Sequence, residues 1–239
     1  MSTVFRFILA GLAALLASLN GCGGGGGGST LSGIGGTGKI ASGTITGFGS
    51  IFVNDIEYDI DSASLEVNDD DSAGLSQDDL RIGMVVTVTA VVDGDTGVAS
   101  LVVYDNEIEG PVSGISELNG GLNKSFSVLG VGVLVDIADT EFDDGEVPGF
   151  SFATIANDDV VEISGFFDAS NVLHATYIKK TDDFDSDSEV EFKGTADVSL
   201  VDGAGSGDSF NLDGVTVNIL ADADLSEVTG GRVSNGMFV

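Results

Sequence analysis

The sequence has no tryptophan, one cysteine, one histidine and two prolines, and only 8 Lys+Arg stand against 39 Asp+Glu in 239 residues. One cysteine cannot close an intramolecular disulfide. With one histidine it cannot supply the usual ligands of a zinc site, and no Cys/His catalytic pair stands out. The shortage of cations, with a formal charge of −31, repels phosphate backbones and excludes nucleic-acid binding through a basic surface. Hydrophobic residues make up 42% of the chain, enough for a packed core and too many for general disorder.

The longest apolar run is Phe7 to Ala17, preceded by Arg6. It is too short to span a bilayer, so residues 1–21 read as an export signal and not as an anchor. The run leads into Leu19-Asn20-Gly21-Cys22, which resembles a bacterial lipobox, where the cysteine is acylated and becomes the new amino terminus. Asn20 departs from the residue type usual at its position. Residues 22–38 contain six consecutive glycines, Gly23 to Gly28, followed by more Gly, Ser and Thr. Such a segment loses too much backbone entropy to fold and reads as a tether of about 20–24 Å r.m.s. reach. Gly23 stands where lipoproteins retained at the inner membrane carry Asp, so the resemblance implies an outer-membrane lipoprotein. An anionic membrane repels so acidic a chain, and the lipid on Cys22 would have to hold it there.

After the tether the sequence repeats itself. Gly43-Thr44-Ile45-Thr46-Gly47, Gly110-Pro111-Val112-Ser113-Gly114 and Gly194-Thr195-Ala196-Asp197-Val198 each open a unit. Each is followed by two short alternating strands around a two-residue turn: Asn54-Asp55, Leu129-Gly130 and Asp213-Gly214. Apolar residues at every second position on both sides of such a turn signal a β-hairpin. An irregular acidic connection then leads to a longer strand (Gly83 to Ala90, or Asp158 to Gly165), a turn, and a last strand (Val98 to Tyr104, or Val172 to Ile178). Strand, hairpin, connection and second hairpin is the order of a five-stranded Greek-key, OB-like barrel. A flat meander is the alternative, but closure hides strand edges in a unit of this size.

The predicted fold class is therefore all-β, with tandem small barrels. The expected divisions are repeat 1 over 39–106, repeat 2 over 107–180, an acidic linker over 181–189 and repeat 3 over 190–239. The short link Asp105 to Glu109 predicts a rigid succession of barrels. Asn235-Gly236-Met237-Phe238-Val239 aligns with Ile82-Gly83-Met84-Val85-Val86, so repeat 3 is expected to be truncated. That predicts either a fragment of a longer protein or a partner strand that completes the third barrel.

The motifs Gly43 to Asn54, Tyr104 to Val112 and Phe126 to Gly130, with the Cys22-polyglycine start, resemble bacterial repeat lipoproteins built from a domain of unknown function, the domain-of-unknown-function 5666 family. The resemblance extends over essentially all of the chain after Cys22. It implies an envelope location and β-rich repeats, and it brings no catalytic residue, ligand or partner.

Few residues suggest chemistry. Asp183, Asp185 and Asp187, at i, i+2 and i+4, resemble the opening of a calcium loop. However, Ser188 stands where the loop wants Gly, and Gly194 where a bidentate Glu should close the shell, so a solvated acidic linker is the simpler reading. Asp69 to Asp71 and Asp143-Asp144 read the same way, and Asp93-Gly94-Asp95 reads as a turn. His174 has no identifiable nucleophile or orienting acid beside it and reads as structural. Phe48, Phe52, Phe126, Phe166 and Phe167 read as core or barrel-rim residues. No catalytic or cofactor-binding residue is identified. The expected function is a non-enzymatic, lipid-tethered structural or ligand-binding module with a protein or glycan ligand. A calcium-dependent surface interaction or adhesion protein is the alternative, and an envelope hydrolase the remotest reading.

Overall fold

The computed structural model describes residues 38–68, 74–145, 147–183, 190–226 and 228–239, and these are all-β apart from two single 3-10 turns. The first sheet contains β1 (Gly38–Gly47), β2 (Ile51–Val53), β3 (Ile56–Asp59), β4 (Ser64–Val67), β5 (Val85–Asp93) and β6 (Thr96–Tyr104). β1 pairs antiparallel with both β2 and β5, β2 with β3, and β5 with β6. A parallel pairing then joins β3 to β6, Glu57 opposite Thr96 through Asp59 opposite Val98. That contact closes five strands into a mixed barrel and excludes the flat meander. β4, which the sequence hid inside the acidic connection, adds to β6 in parallel.

The second sheet contains β7 (Ile108–Leu118), β8 (Asn123–Val128), β9 (Val131–Asp136), β10 (Glu141–Asp143), β11 (Asp159–Phe167) and β12 (Val172–Asp183), with β13 (Glu191–Phe192) added on β7. Its antiparallel pairs run β9-β8-β7-β11-β12, and β9 meets β12 in parallel. β12 is five residues longer than the sequence pattern suggests, and its end pairs with β11, Asp183 opposite Asp159. Both sheets have a register shift at the same place, between Thr89 and Ala90 and between Ser164 and Gly165. A third sheet joins β14 (Ala196–Asp197), β15 (Ser209–Leu212) and β16 (Val215–Asn218). Residues 236–239 lie against its start, where Gly194 and Val239 exchange both backbone bonds at 2.8 and 3.0 Å.

The three hairpin turns share one conformation. Asn54 and Asp55 have φ 53 and 62°, Leu129 and Gly130 49 and 89°, and Asp213 and Gly214 44 and 95°. Two successive left-handed residues match the right-handed twist of the flanking strands, and so fix the register. Alternation along the strands then buries one face. Ile45, Ile51, Val53, Val86, Val88 and Val102 fill the first core; Ile108, Val112, Val128, Val133, Ile163 and Leu173 fill the second. Of the phenylalanines expected inside or at a rim, Phe126 is buried, whereas Phe48, Phe166 and Phe167 are exposed.

The first two sheets meet through a polar seam. Tyr177 of β12 is buried in the first core, edge-on to Tyr104 at 6.5 Å between ring centroids. Its hydroxyl donates to Asp143 at 2.8 Å, and Arg81 Nε lies 3.3 Å from the same carboxylate. Burial works against ionisation of Asp143, yet the Gly145 amide, the Tyr177 hydroxyl and Arg81 together hold its carboxyl below the usual range. The Val85 amide donates to Ser164 Oγ at 2.9 Å, and Thr176 Oγ1 donates to the Gly83 carbonyl at 2.6 Å. Lys180 meets Asp159 at 2.6 Å with both side chains nearly buried, and Lys193 lies 3.4 Å from Asp105.

Two predictions follow from the seam's geometry. Gly83 has φ 91°, and a Cβ there would lie 2.5 Å from the Thr176 carbonyl oxygen. Gly83→Ala should therefore destabilise the protein by about 2 kcal/mol or more in denaturant unfolding, since strain and clash add. Gly132→Ala, whose Cβ would find its nearest neighbour at 3.9 Å, should change stability far less. Glu107 tests the electrostatics. Burial raises its carboxyl above the usual range, Lys193 opposes this and Asp105 adds to it. Its folded state disfavours the charge, so the stability it contributes is present at low pH and lost as pH rises through its folded pKa. Glu107→Gln should raise the melting temperature at pH 7, and the gain should vanish below the ordinary glutamate range, about pH 4.

Candidate functional site

The alternation that buries Tyr58, Gly97 and Ala90 turns their neighbours outward over the closing contact of the first barrel. Register places these neighbours in two rows. Glu57 on β3, Thr96 on β6 and Asp93 on β5 lie side by side, and next to them lie Asp59, Val98 and Val91. With strands spaced about 4.8 Å apart, Glu57 and Asp93 stand roughly 9–10 Å apart across Thr96. Gly97 lets the rows lie flat, because a Cβ there would meet the Tyr58 ring at 2.9 Å.

These residues floor an open depression of 540 Å³, walled by Gly49 and Ser50 on one side and bordered by Ile60, Asp61 and Gln77. Four carboxylates line it (Glu57, Asp59, Asp61 and Asp93) and no Lys or Arg does. Asp59 Oδ1 accepts from the Asp61 amide at 3.0 Å, which fixes the strand's exit. The Glu57 amide donates to the Asp95 carbonyl at 2.9 Å, which holds the hairpin tip against β3. Val91 is 50% and Val98 55% exposed, so the acidic border surrounds an apolar centre. Such a surface suits a cationic, partly apolar group and repels an anion.

The corresponding place on the second sheet differs in chemistry. There Phe166 faces His174, His174 faces Leu134, and Asp168 lies two residues beyond Phe166. His174 Nε2 is 3.2 Å from Asp168 Oδ2, with both side chains largely exposed. The Asp168 carboxyl is held below its usual range by the Val172 and Ser170 amides and by His174. Asp168 thus orders the turn, and it is an acid beside His174 that the sequence did not identify.

Of the residues singled out in the sequence, Cys22, Asp185, Asp187 and the side chain of Asp183 lie outside the described residues, as do Asp69 to Asp71. The backbone of Asp183 ends β12. Among the described residues, no three His, Cys, Asp or Glu side chains come together as a metal site would require. No helix in that part of the chain is long and apolar enough to cross a membrane. The alternating acids of Ile56-Glu57-Tyr58-Asp59-Ile60 were a readable sign of an outward acidic row. That Val91, Val98 and Asp93 would join them depends on the parallel closure, which no local pattern encodes.

No curated protein and no solved structure matches the chain. Residues 109–179, which run from β7 into β12, match the family model described as "Domain of unknown function (DUF5666)", and this segment is a DUF5666 domain.

Proposed function

We propose that the chain is a non-enzymatic envelope lipoprotein, moored in the outer membrane through acylated Cys22, whose body is a tandem of small OB-like barrels. The body serves as a structural or ligand-binding module for a protein or glycan ligand. The single observation that carries the module reading is the repeated pairing order. In both large sheets a strand, a hairpin and a second hairpin join so that the third and fifth barrel strands lie parallel. This order supports an OB-like reading of the mixed barrel, a fold that binds ligands over the second and third strands between two loops. The acidic depression lies between the 48–50 loop and the 93–96 hairpin, beside that face, with the third, fifth and fourth barrel strands as its floor. The third sheet supports the tandem: the Ala196 amide bonds the Met237 carbonyl at 2.8 Å as the Ile45 amide bonds the Met84 carbonyl at 2.8 Å.

The charge and placement of the side chains favour binding over catalysis. The carboxylates of the depression face solvent on an open surface, where water competes with any substrate. His174 is engaged with an exposed turn aspartate. The residues before Cys22 and the long glycine segment that follows it support the mooring.

Expression of the full chain in a lipoprotein-processing bacterium tests the mooring. Mass spectrometry of the mature protein should find an acylated amino-terminal Cys22, and the protein should partition into detergent. Cys22→Ser should abolish both. A soluble mature protein with unmodified Cys22 would overturn the mooring.

A further inference from the structure

We propose that the outer sheet face centred on Val91 and Val98 docks a basic amphipathic segment of a protein partner. This rests on the reading of the chain as a binding module and names the partner of that face. Three strands build the surface in register. Val91 lies opposite both Val98 and Gly38, and Ile40, two residues along β1, lies opposite Thr89, which lies opposite Leu101. Ile40 is 75% exposed, and Gly38 adds no side chain between it and Val91. The apolar stripe is thus continuous across β1, β5 and β6, and nothing among the described residues covers it. Scattered exposed valines need no explanation, but an aligned stripe bordered by charge of one sign does.

The border selects the occupant. Glu57, Asp59, Asp61 and Asp93 stand along the stripe, and no cation stands among them. Lys39 pairs with the inward-facing Ala90 and so alternates to the other side of β1. Glu57 and Asp59 repeat about every 6.6–7 Å along β3, and apolar side chains lie beside them. A segment that lays aliphatic side chains on the valines and reaches the rim with Lys or Arg satisfies both chemistries, since long basic side chains carry their own apolar stems. A glycan satisfies the hydroxyl-bearing Ser50 and Thr96 but leaves four carboxylates without counter-charge, and an anionic partner is repelled. The second sheet provides an internal comparison. Gly132 and Leu134 stand where Glu57 and Asp59 stand on the first, so Phe166 and His174, in the places of Val91 and Val98, lack that acidic row and have only Asp168 beside them.

The test uses the purified protein and two labelled twelve-residue peptides, one of Lys and Leu in equal number and one of Glu and Leu. Anisotropy titration in 0.15 M salt should show saturable binding of the Lys/Leu peptide alone. Amide shifts should concentrate at residues 57–61 and 91–98 and stay small at Phe166 and His174. Val91→Ser with Val98→Ser, and separately Asp59→Asn with Asp93→Asn, should each weaken binding about tenfold, a change of about 1.4 kcal/mol. All four side chains face outward, so melting temperatures should hold. Equal affinity in parent and variants, shifts spread over the whole acidic surface, or stoichiometric displacement by spermidine would each overturn the proposal. Acylated Cys22 together with a failed peptide titration would retire the partner and leave the mooring standing. Unmodified Cys22 with a successful titration would do the reverse.

Discussion

The parallel pairing of β3 with β6 is the contact on which the rest of the first barrel depends. Every other contact in the ring is antiparallel, and most join neighbours along the chain by short turns. The parallel one brings together residues some forty positions apart. It closes the sheet, removes two open edges, and places acids from one hairpin beside valines from another. Glycine at position 97 is what lets the strands lie that closely over Tyr58. The same closure recurs between β9 and β12, where the outward residues differ and the surface changes character accordingly.

Scarcity of positive charge shapes the molecule in a second way. Seven Lys and Arg lie within the described residues, and all but Lys39 bond carboxylates or carbonyls of the fold, Arg81 and Arg232 while half-exposed. Lys124 donates to the Phe152 carbonyl at 2.6 Å and lies 4.9 Å from the centroid of its ring. Arg232 bonds the Gly203 carbonyl and the Asp208 carboxylate in the third sheet. Lys179 meets Glu162 and Lys193 meets Asp105 near Glu107 and Glu109, which would otherwise face one another in a poorly hydrated setting, while Lys180 meets Asp159 within the second sheet. Removing one partner of a buried pair leaves an uncompensated charge and costs about 3–5 kcal/mol. The cations therefore stabilise the inside, and the outside remains negative.

Much of this fold was legible in the residues, and the illegible part has physical reasons. The hairpins were readable because alternation and a two-residue turn are local, and Asp-Gly or Asn-Asp tolerates left-handed backbone. The last strand of each unit was readable for the same reason, although β12 runs past Ile178 because β11 continues opposite it. β4 was not readable: Ser64 to Val67 is a short mixed segment whose pairing with β6 is decided by a neighbour distant in sequence. Tyr177 read as an ordinary strand residue of its own unit, yet it is buried in the core of the preceding one. Ring contacts between units leave no periodic trace. At the candidate site Glu57 and Asp59 could be read as outward acids from alternation alone, whereas the outward faces of Val91 and Val98 depend on the register shift near Ala90.

The inward use of lysine has a consequence for resistance to proteolysis. Proteases that cut after basic residues need those side chains accessible on a backbone that can unfold locally. Here Lys124, Lys179, Lys180 and Lys193 lie at or beside paired strands with largely covered side chains. Lys39 is exposed but lies on a paired strand, so among the described residues trypsin-like enzymes find their accessible starting points chiefly at the half-exposed Arg81 and Arg232.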